Sequence, residues 1–188
     1  MRSGNVAARL PDLSSTEEAD ILAGVRAGGV ARREASDRLF RELRDPLHAL
    51  CMHLTGRRSD AEDAVQEVFV ALHGALPGFQ GASRLTTWVY RIALRAAFRA
   101  RARRQEGSPL DPETPGGGGE AEMANRDEAA RALAALARLP AGPRAVLSLF
   151  AVEGLSHREI ADILGVPEGT VWSRLHAARR MLIQSLSA

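Results

Sequence analysis

The sequence predicts an all-α protein made of two small helical domains joined by a linker. Apolar residues recur at intervals of three and four along both flanks, helix-start patterns precede these stretches, and no convincing strand-type alternation is found. Residues 106–124 lack this period and contain five glycines and three prolines, which is the composition of a linker. The predicted domains are therefore residues 1–105 and 125–188.

Glycine and proline breaks divide the two flanks into nine predicted helices. These span residues 16–27, 31–44, 46–55, 60–74, 84–105, 126–138, 143–153, 157–164 and 168–184. Capping boxes, in which a Ser hydroxyl and a Glu carboxylate three residues later bond reciprocally to backbone N–H groups, are predicted at Ser15–Glu18, Ser59–Glu62 and Ser156–Glu159. Asn125 and Glu128 form a weaker example. The predicted stops are Gly28, Gly56, Pro77, Pro140, Gly154 and Gly165.

Charge is segregated along the chain, although the formal net charge is only +2. Residues 1–105 hold 17 Arg against 12 Asp and Glu, residues 106–124 hold no Arg against 5, and residues 125–188 hold 8 against 6. Two basic ends therefore flank an acidic middle. Arginine suits phosphate because its planar guanidinium donates paired hydrogen bonds. Since an all-Arg chain also follows from a GC-rich genome, the placement of the arginines matters more than their choice.

Several classes of protein are disfavoured by the sequence. No apolar run is long enough to span a bilayer, and Met1–Pro11 lacks the apolar stretch of a secretory signal, so we expect a cytoplasmic protein without membrane insertion. The single cysteine, Cys51, cannot form an internal disulfide. Because it lies in an apolar run between His48 and His53, a structural thiol is favoured over a metal or redox role. No metal and no cofactor are predicted.

No set of catalytic side chains is found in the sequence. A phosphate-cradling glycine loop at a helix start, paired carboxylates for a metal, and a nucleophile beside a base are all missing. The run Gly116–Gly119 is not a phosphate-binding loop, because no Lys follows it. We therefore predict a protein that is not an enzyme.

Residues 156–180 have the spacing of a helix-turn-helix. Small Ala161 lets the helices approach, and Gly165 supplies the positive φ of the turn. The side chains expected to close the shared core are Ile160, Leu164, Val166, Val171, Leu175, Ala178 and Leu182. Those expected to face outward are Thr170, Trp172, Ser173, Arg174, His176, Arg179 and Arg180. The early ones are placed to read base edges in the major groove, and the alternative is a helical hairpin with a solvated basic face.

The helix predicted at 84–105 combines arginine and aromatic side chains in one sector. At 100° per residue, Arg84, Arg91, Arg95 and Arg99 fall within about 80° of one another. Trp88 and Phe98 share this sector. Single-stranded nucleic acid needs charge for its phosphates and flat surfaces for its unstacked bases, so the mixture fits such a ligand. The alternative, left open for each aromatic, is that it turns back into the core.

The helix predicted at 60–74 carries acidic residues at intervals of three and four. Asp60, Asp63 and Glu67 lie away from the apolar stripe of this helix. Like charges placed so close repel each other. This pattern indicates either a solvated face or a docking surface for a basic protein partner, and spacing alone leaves both open.

Two blocks of sequence resemble the extracytoplasmic-function sigma factors of the sigma-70 family. The resemblance to the family's second conserved region lies in DAEDAVQEVF at 60–69, FQG at 79–81 and TWVYRIA at 87–93. The resemblance to its fourth region lies in EGLS at 153–156, EIADILGVPEGTV at 159–171 and SRLH at 173–176. Both blocks come in the family's order, and together they are far more specific than a lone helix-turn-helix.

This resemblance implies two contacts with core RNA polymerase and two with promoter DNA. The clamp helices of the largest subunit would contact Asp60, Asp63, Gln66 and Glu67. Unpaired bases and phosphates of the minus-ten element would contact Phe79, Gln80, Ser83, Arg84, Trp88, Arg91, Arg95 and Arg99. The minus-thirty-five element would be read as duplex by Glu168, Thr170, Trp172, Ser173, Arg174, His176, Arg179 and Arg180. The other side of that domain would sit on the flap of the second-largest subunit, and an anti-sigma factor is an expected further partner.

Two positions depart from the family pattern. Leu85 stands where relatives often have an aromatic residue, and Trp172 where they often have a basic one. Trp172 would either contact thymine methyl groups or pack on a partner protein.

The alternative function is a self-sufficient helix-turn-helix regulator with the N-terminal helices as a sensor or dimerisation unit. Replacing Asp63, Gln66 and Glu67 separates the two functions, because it would abolish polymerase association only in a sigma factor.

Overall fold

The computed structural model describes residues 10–11, 13–105 and 131–186, and the regular structure within them is entirely helical. The helices are α1 (Ser15–Ala27), α2 (Gly29–Thr55), α3 (Arg58–Ala75), a 3-10 turn (Leu76–Gly78), α4 (Leu85–Gln105), α5 (131–138), α6 (Ala141–Ala151), α7 (His157–Leu164) and α8 (Glu168–Leu186). The predicted all-α fold class is confirmed. The predicted linker at 106–124 lies outside the described residues.

One pair of predicted helices was wrong. The segments 31–44 and 46–55 form the single helix α2, with Pro46 inside it. A proline in a helix interior removes one backbone hydrogen bond and costs about 3 kcal/mol. Here Pro46 is buried, and its neighbours in the α2 core, Leu43 and Leu47, are fully buried. Burial of two leucines, at roughly 1.5–3 kcal/mol each, offsets that cost.

The predicted capping boxes had mixed outcomes. Ser156–Glu159 is confirmed, with the Ser156 N–H donating to the Glu159 carboxylate at 2.8 Å. The first box is formed by Ser14 with Glu17, one residue earlier than predicted. The box predicted at Ser59–Glu62 is absent, because α3 begins one residue before Ser59. The Glu62 carboxylate instead pairs with Arg58 at 2.8 Å. The Asn125 and Glu128 pair lies outside the described residues.

Helix α2 forms the centre of the N-terminal half. Its leucines at intervals of three and four are fully buried, namely Leu39, Leu43, Leu47, Leu50 and Leu54. Helices α1, α3 and α4 pack around α2. Small residues at the α3 and α4 contacts, such as Ala64 on α3 and Ala93 on α4, are also fully buried and let these helices approach. The result is one apolar core beneath the faces of α3 and α4.

The C-terminal half packs against the N-terminal half. Helix α8 lies across α6 and α7, and α7 in turn contacts α4 while α6 contacts α2. Close approach is visible where α2 ends, since a Cβ at Gly56 would lie 2.6 Å from that of Ala137. The buried apolar side chains of both halves form one continuous cluster. Arginines of α4 therefore lie close to the helix-turn-helix.

Candidate functional site

The helix-turn-helix geometry around α7 and α8 is the predicted one. Gly165 adopts the left-handed conformation with φ 64°, and its N–H donates to the Ala161 carbonyl oxygen. Val171, Leu175 and Ala178 are buried, so the inward face of α8 is confirmed at these three positions. The capped start of α7 and this apolar face together fix how α8 is presented to solvent.

The predicted outward side chains of α8 divide into two groups. Glu168, Ser173, His176, Arg179 and Arg180 are exposed, as is Trp172, while Thr170 and Arg174 are half-buried. The Ser173 hydroxyl donates to the Thr170 carbonyl oxygen at 3.0 Å. Arg174 leans over the start of α6, where a Cβ at Gly142 would lie 3.3 Å from its Nε. The exposed group forms a basic surface that nothing in the described chain covers.

Trp172 is part of a stack of rings at the start of α7. Its ring lies 4.0 Å from that of His157 with an interplanar angle of 16°, and the His157 ring lies 5.1 Å from that of Phe150. The Arg179 guanidinium lies 5.4 Å from the Phe150 ring centroid. Sequence reasoning missed His157 and Phe150, since neither lies on α8. Trp172 nevertheless keeps 57% of its surface exposed.

The loop before α4 is tied to α1. The Arg26 guanidinium donates to the Phe79 carbonyl oxygen at 3.0 Å, and the Glu18 carboxylate accepts from the Leu85 N–H at 2.9 Å. Arg84 donates to the Leu13 carbonyl oxygen at 2.9 Å. Each bond joins the loop to a segment more than fifty residues earlier. The start of α4 is thus held by α1 in a defined position.

The aromatic side chains predicted to stack on bases lie partly in the core. Phe79 is buried, and its ring is 5.0 Å from that of half-buried Trp88. Phe98 is half-buried, with the Arg144 guanidinium 5.9 Å from its ring. Leu85 is fully buried. Among the other predicted positions of this loop, Gln80 is exposed and Ser83 is half-buried.

Three of the four arginines in the predicted cationic stripe of α4 are engaged within the chain. In addition to Arg84, Arg91 donates to the carbonyl oxygens of Asp162 at 2.7 Å and Ile163 at 3.3 Å. Arg99 forms an ion pair with Glu67. Arg95 is exposed. The structure therefore places Arg91, Arg95 and Arg99 on α4 and Arg84 just before it. All of these except Arg95 bond to other parts of the chain.

A buried carboxylate also joins the two halves. Glu153 is only 1% exposed, and its Oε2 accepts hydrogen bonds from the Tyr90 hydroxyl at 2.8 Å and the Leu10 N–H at 3.1 Å. A cleft of about 390 Å³ opens beside these contacts and is lined in part by Arg84 and Arg91. Sequence reasoning missed this contact, because Tyr90 and Glu153 are 63 residues apart and no local pattern pairs them.

The acidic face of α3 contains an exposed apolar residue. Asp63 and Gln66 are exposed, while Asp60 and Glu67 are half-buried. Val70 is 75% exposed and lies on the same face, seven residues after Asp63 and three after Glu67. Sequence reasoning missed Val70, although its position outside the apolar stripe is a readable signal.

Metal and redox roles receive no support from the described part of the chain. Burial raises the pKa of the Cys51 thiol to about 12, with a smaller contribution from the negative charge of Glu153. A protonated, buried thiol is unreactive, as a structural cysteine should be. The described residues contain no group of His, Cys, Asp and Glu suited to a metal ion. They also contain no helix with the length and hydropathy needed to span a membrane.

Comparison with known families decides what kind of protein this geometry belongs to. The Sigma-70 region 2 family matches residues 39–107, and the Sigma-70, region 4 family matches residues 129–182. The chain is 34% identical over 172 residues to the ECF RNA polymerase sigma factor SigM of Mycobacterium tuberculosis, covering 90% of this chain and 84% of that protein. The chain belongs to the extracytoplasmic-function sigma factors. This sigma factor binds core RNA polymerase and directs promoter-specific initiation of transcription.

Solved structures share the fold of this sigma factor. The structure of CnrH in complex with the cytosolic domain of CnrY matches with a TM-score of 0.68 and 24% identity, covering 91% of this chain and 97% of that one. The sigma factor RpoE in complex with the anti-sigma factor NepR from Bartonella quintana matches with a TM-score of 0.63 and 23% identity, covering 81% and 96%. These matches support the sigma-factor fold over that of an unrelated helix-turn-helix regulator.

Proposed function

We propose that this sigma factor contacts polymerase through α3 and DNA through α4 and α8. The observation that carries this assignment is that one chain presents an acidic face with exposed Val70 on α3 and an uncovered basic recognition helix on α8. An autonomous regulator needs only the second of these surfaces. We infer that the chain has no enzymatic activity of its own and works in the cytoplasm, where core RNA polymerase works.

The polymerase contact is assigned to the face of α3. Asp60, Asp63, Gln66 and Glu67 supply acceptors for a basic surface, and Val70 supplies apolar area at the C-terminal end of this face. The expected partner surface is the clamp helices of the largest subunit. Charged side chains of this kind steer association, while apolar area buried in the contact adds affinity.

The DNA contacts are divided between strand capture and duplex reading. Opening DNA without ATP requires binding energy that offsets unstacking, which costs a few kcal/mol per disrupted step. Bases captured from the minus-ten element by the segment from Phe79 to Trp88 would return roughly 1–3 kcal/mol each. Arg91, Arg95 and Arg99 would hold the adjacent phosphates. Helix α8 would read the minus-thirty-five element in the major groove.

Strand capture requires that the two halves separate. Arg91 cannot hold a phosphate while it donates to the carbonyl oxygens of Asp162 and Ile163. We infer that the free chain binds promoter DNA poorly and becomes competent when core polymerase holds its two halves apart, as a bivalent ligand of two linked sites. A gel shift with the isolated full-length chain should show no tight, specific complex. Such a complex would contradict this inference.

An anti-sigma factor is the expected regulator. The fold neighbours include a sigma factor bound to an anti-sigma factor. For this chain, the surfaces that such a protein would occlude are the α3 face and the cleft between α4 and α7. Occlusion of the α3 face would prevent polymerase binding, and occlusion of the cleft would prevent separation of the halves.

The test is in vitro transcription with core polymerase, with and without the chain, followed by mapping of start sites. The chain should produce discrete starts that core enzyme alone does not. The triple variant Asp63→Arg, Gln66→Ala and Glu67→Ala should lose both core binding and those starts. Asp20→Arg, at an exposed acid on α1, is the matched control and should retain both. Retention of core binding by the triple variant would refute the α3 assignment.

A further inference from the structure

The ring stack formed by Phe150, His157 and Trp172 fixes one side chain on the reading face of α8. Trp172 is the fifth residue of α8, and at 100° per residue it projects within about 60° of His176 and Arg179. One face of its indole is covered by the His157 ring at 4.0 Å, and His157 is backed by Phe150 at 5.1 Å. The indole is therefore held in place before any ligand binds.

Trp172 is unusually exposed for a large apolar side chain and lies among groups suited to DNA. More than half of its surface, 57%, is exposed, although tryptophan normally gains by burying its ring. Exposed Ser173, His176 and Arg180 follow it on α8. In the major groove, the C5-methyl group of thymine is the apolar feature that distinguishes this base, and apolar side chains read it by contact. A rigid ring loses little conformational entropy in such a contact.

We propose that Trp172, supported by His157, is a specificity-determining residue that reads a thymine methyl group in the minus-thirty-five element. The proposal rests on the function proposed above and adds a base preference to it. His157 is a positioning residue, because it contacts the indole and is not assigned a DNA contact. Relatives often have a basic residue at this position, and here the stacked Trp172 would recognise a base instead.

The test uses holoenzyme assembled from core polymerase and the full chain. Start-site mapping first identifies a promoter, and each thymine of its minus-thirty-five element is then replaced singly by uracil. This change removes only the methyl group. For at least one position, uracil should weaken wild-type binding about fourfold, the equivalent of roughly 0.8 kcal/mol for one buried carbon group. Failure of the wild-type holoenzyme to initiate would be a failure of the proposed function, recognised before any uracil promoter is tried.

The variants decide whether Trp172 is responsible. Trp172→Ala should bind thymine and uracil promoters equally at that position, and His157→Ala should reduce the fourfold preference. Arg180→Ala should weaken binding to both promoters while keeping their ratio. Trp172→Phe, which keeps a ring, guards against misfolding of the alanine variant and should retain part of the preference. An unchanged ratio in Trp172→Ala and Trp172→Phe, or no uracil effect in the wild type, would overturn the proposal.

Discussion

The two predicted DNA-binding faces differ in what already occupies them. On α8, five of the eight predicted contact residues are exposed polar or charged side chains and Trp172 keeps most of its surface in solvent. On α4 and just before it, Arg84, Arg91 and Arg99 each bond to another part of the chain. The face predicted to read duplex is therefore largely exposed, whereas most arginines of the face predicted to capture a strand are bonded within the chain. Of these contacts only those of Arg91 join the two halves, so separation of the halves would free Arg91 for strand capture.

Few polar contacts join the halves, and they lie beside a shared apolar core. Hydrogen bonds to charged groups contribute roughly 1.5–3 kcal/mol each, and less where solvent competes, as it does at half-buried Arg91. A closed form of this kind can be opened by a large partner, provided that the partner binds the open form more tightly. We propose core polymerase, which is expected to contact both halves, as this partner. The predictions below test that account.

The largest loss of folding stability is expected when Glu153 is replaced. Glu153→Leu removes the acceptor for the Tyr90 hydroxyl and the Leu10 N–H, and each buried donor left without a partner costs about 1–3 kcal/mol. We expect the free energy of unfolding in urea to fall by about 3 kcal/mol in total. Glu34→Leu, at an exposed carboxylate inside α2, is the control and should change it by less than about 0.5 kcal/mol. Equal stability of the two variants would show that the buried contact is dispensable.

Arg91 and Arg95 form a matched pair one helical turn apart. Arg91→Ala removes the donors to the Asp162 and Ile163 carbonyl oxygens and should reduce stability by about 1–2 kcal/mol, whereas exposed Arg95→Ala should change it by less than about 0.5 kcal/mol. Hydrogen exchange at the end of α7 should quicken only in the first variant. In holoenzyme, both variants should weaken minus-ten binding. Identical exchange in both variants would contradict a closed form held by Arg91.

Glu67 should matter little for stability. Its carboxylate pairs with Arg99 and Arg103, whose side chains are more than half exposed. Exposed ion pairs contribute about 0–1 kcal/mol, so Glu67→Gln should lower the unfolding free energy by no more than this. The difference should vanish at about 1 M salt, where charges are screened within about 3 Å. A loss that persists at high salt would mean that Glu67 has a structural role beyond these pairs.

The smallest contribution to stability at neutral pH is expected from titration of the Cys51 thiol. Its pKa is raised from 9.0 to about 12, so the folded chain holds the thiol proton more tightly than the unfolded chain does. Below pH 9 the thiol keeps its proton in both the folded and the unfolded chain, so its contribution to the free energy of unfolding does not change with pH. As the pH rises from about 9 towards 12, stability should fall. Cys51→Ala should show a shallower decline in urea unfolding over this range, and equal slopes would contradict burial of the thiol.

Features encoded locally could be predicted from the sequence. The helix-turn-helix follows from a capping box, a glycine turn and an apolar spacing that lie within about twenty-five residues of one another. The first capping box was misplaced by one residue because Ser14 and Ser15 both precede a glutamate by three residues. The split at Pro46 was wrong because a local helix breaker was overridden by burial in the core.

Features that depend on tertiary contact could not be predicted in this way. The acceptors for Arg91 are backbone carbonyl oxygens 71 and 72 residues away, and every residue has such an oxygen. The sequence therefore predicted the helix that carries Arg91 but not the carbonyl oxygens to which Arg91 donates. In the same way, His157 and Phe150 gain their relation to Trp172 only through the packing of three helices.

The most direct test of the central claim is a distance between the two halves with and without polymerase. Spin labels at Ala23→Cys on α1 and Gln184→Cys on α8, both exposed positions, would report it by pulsed electron resonance, with Cys51 replaced by Ala. We predict a short, narrow distance distribution in the free chain that shifts to longer distances when core polymerase is added. A distribution that core polymerase leaves unchanged would contradict the account.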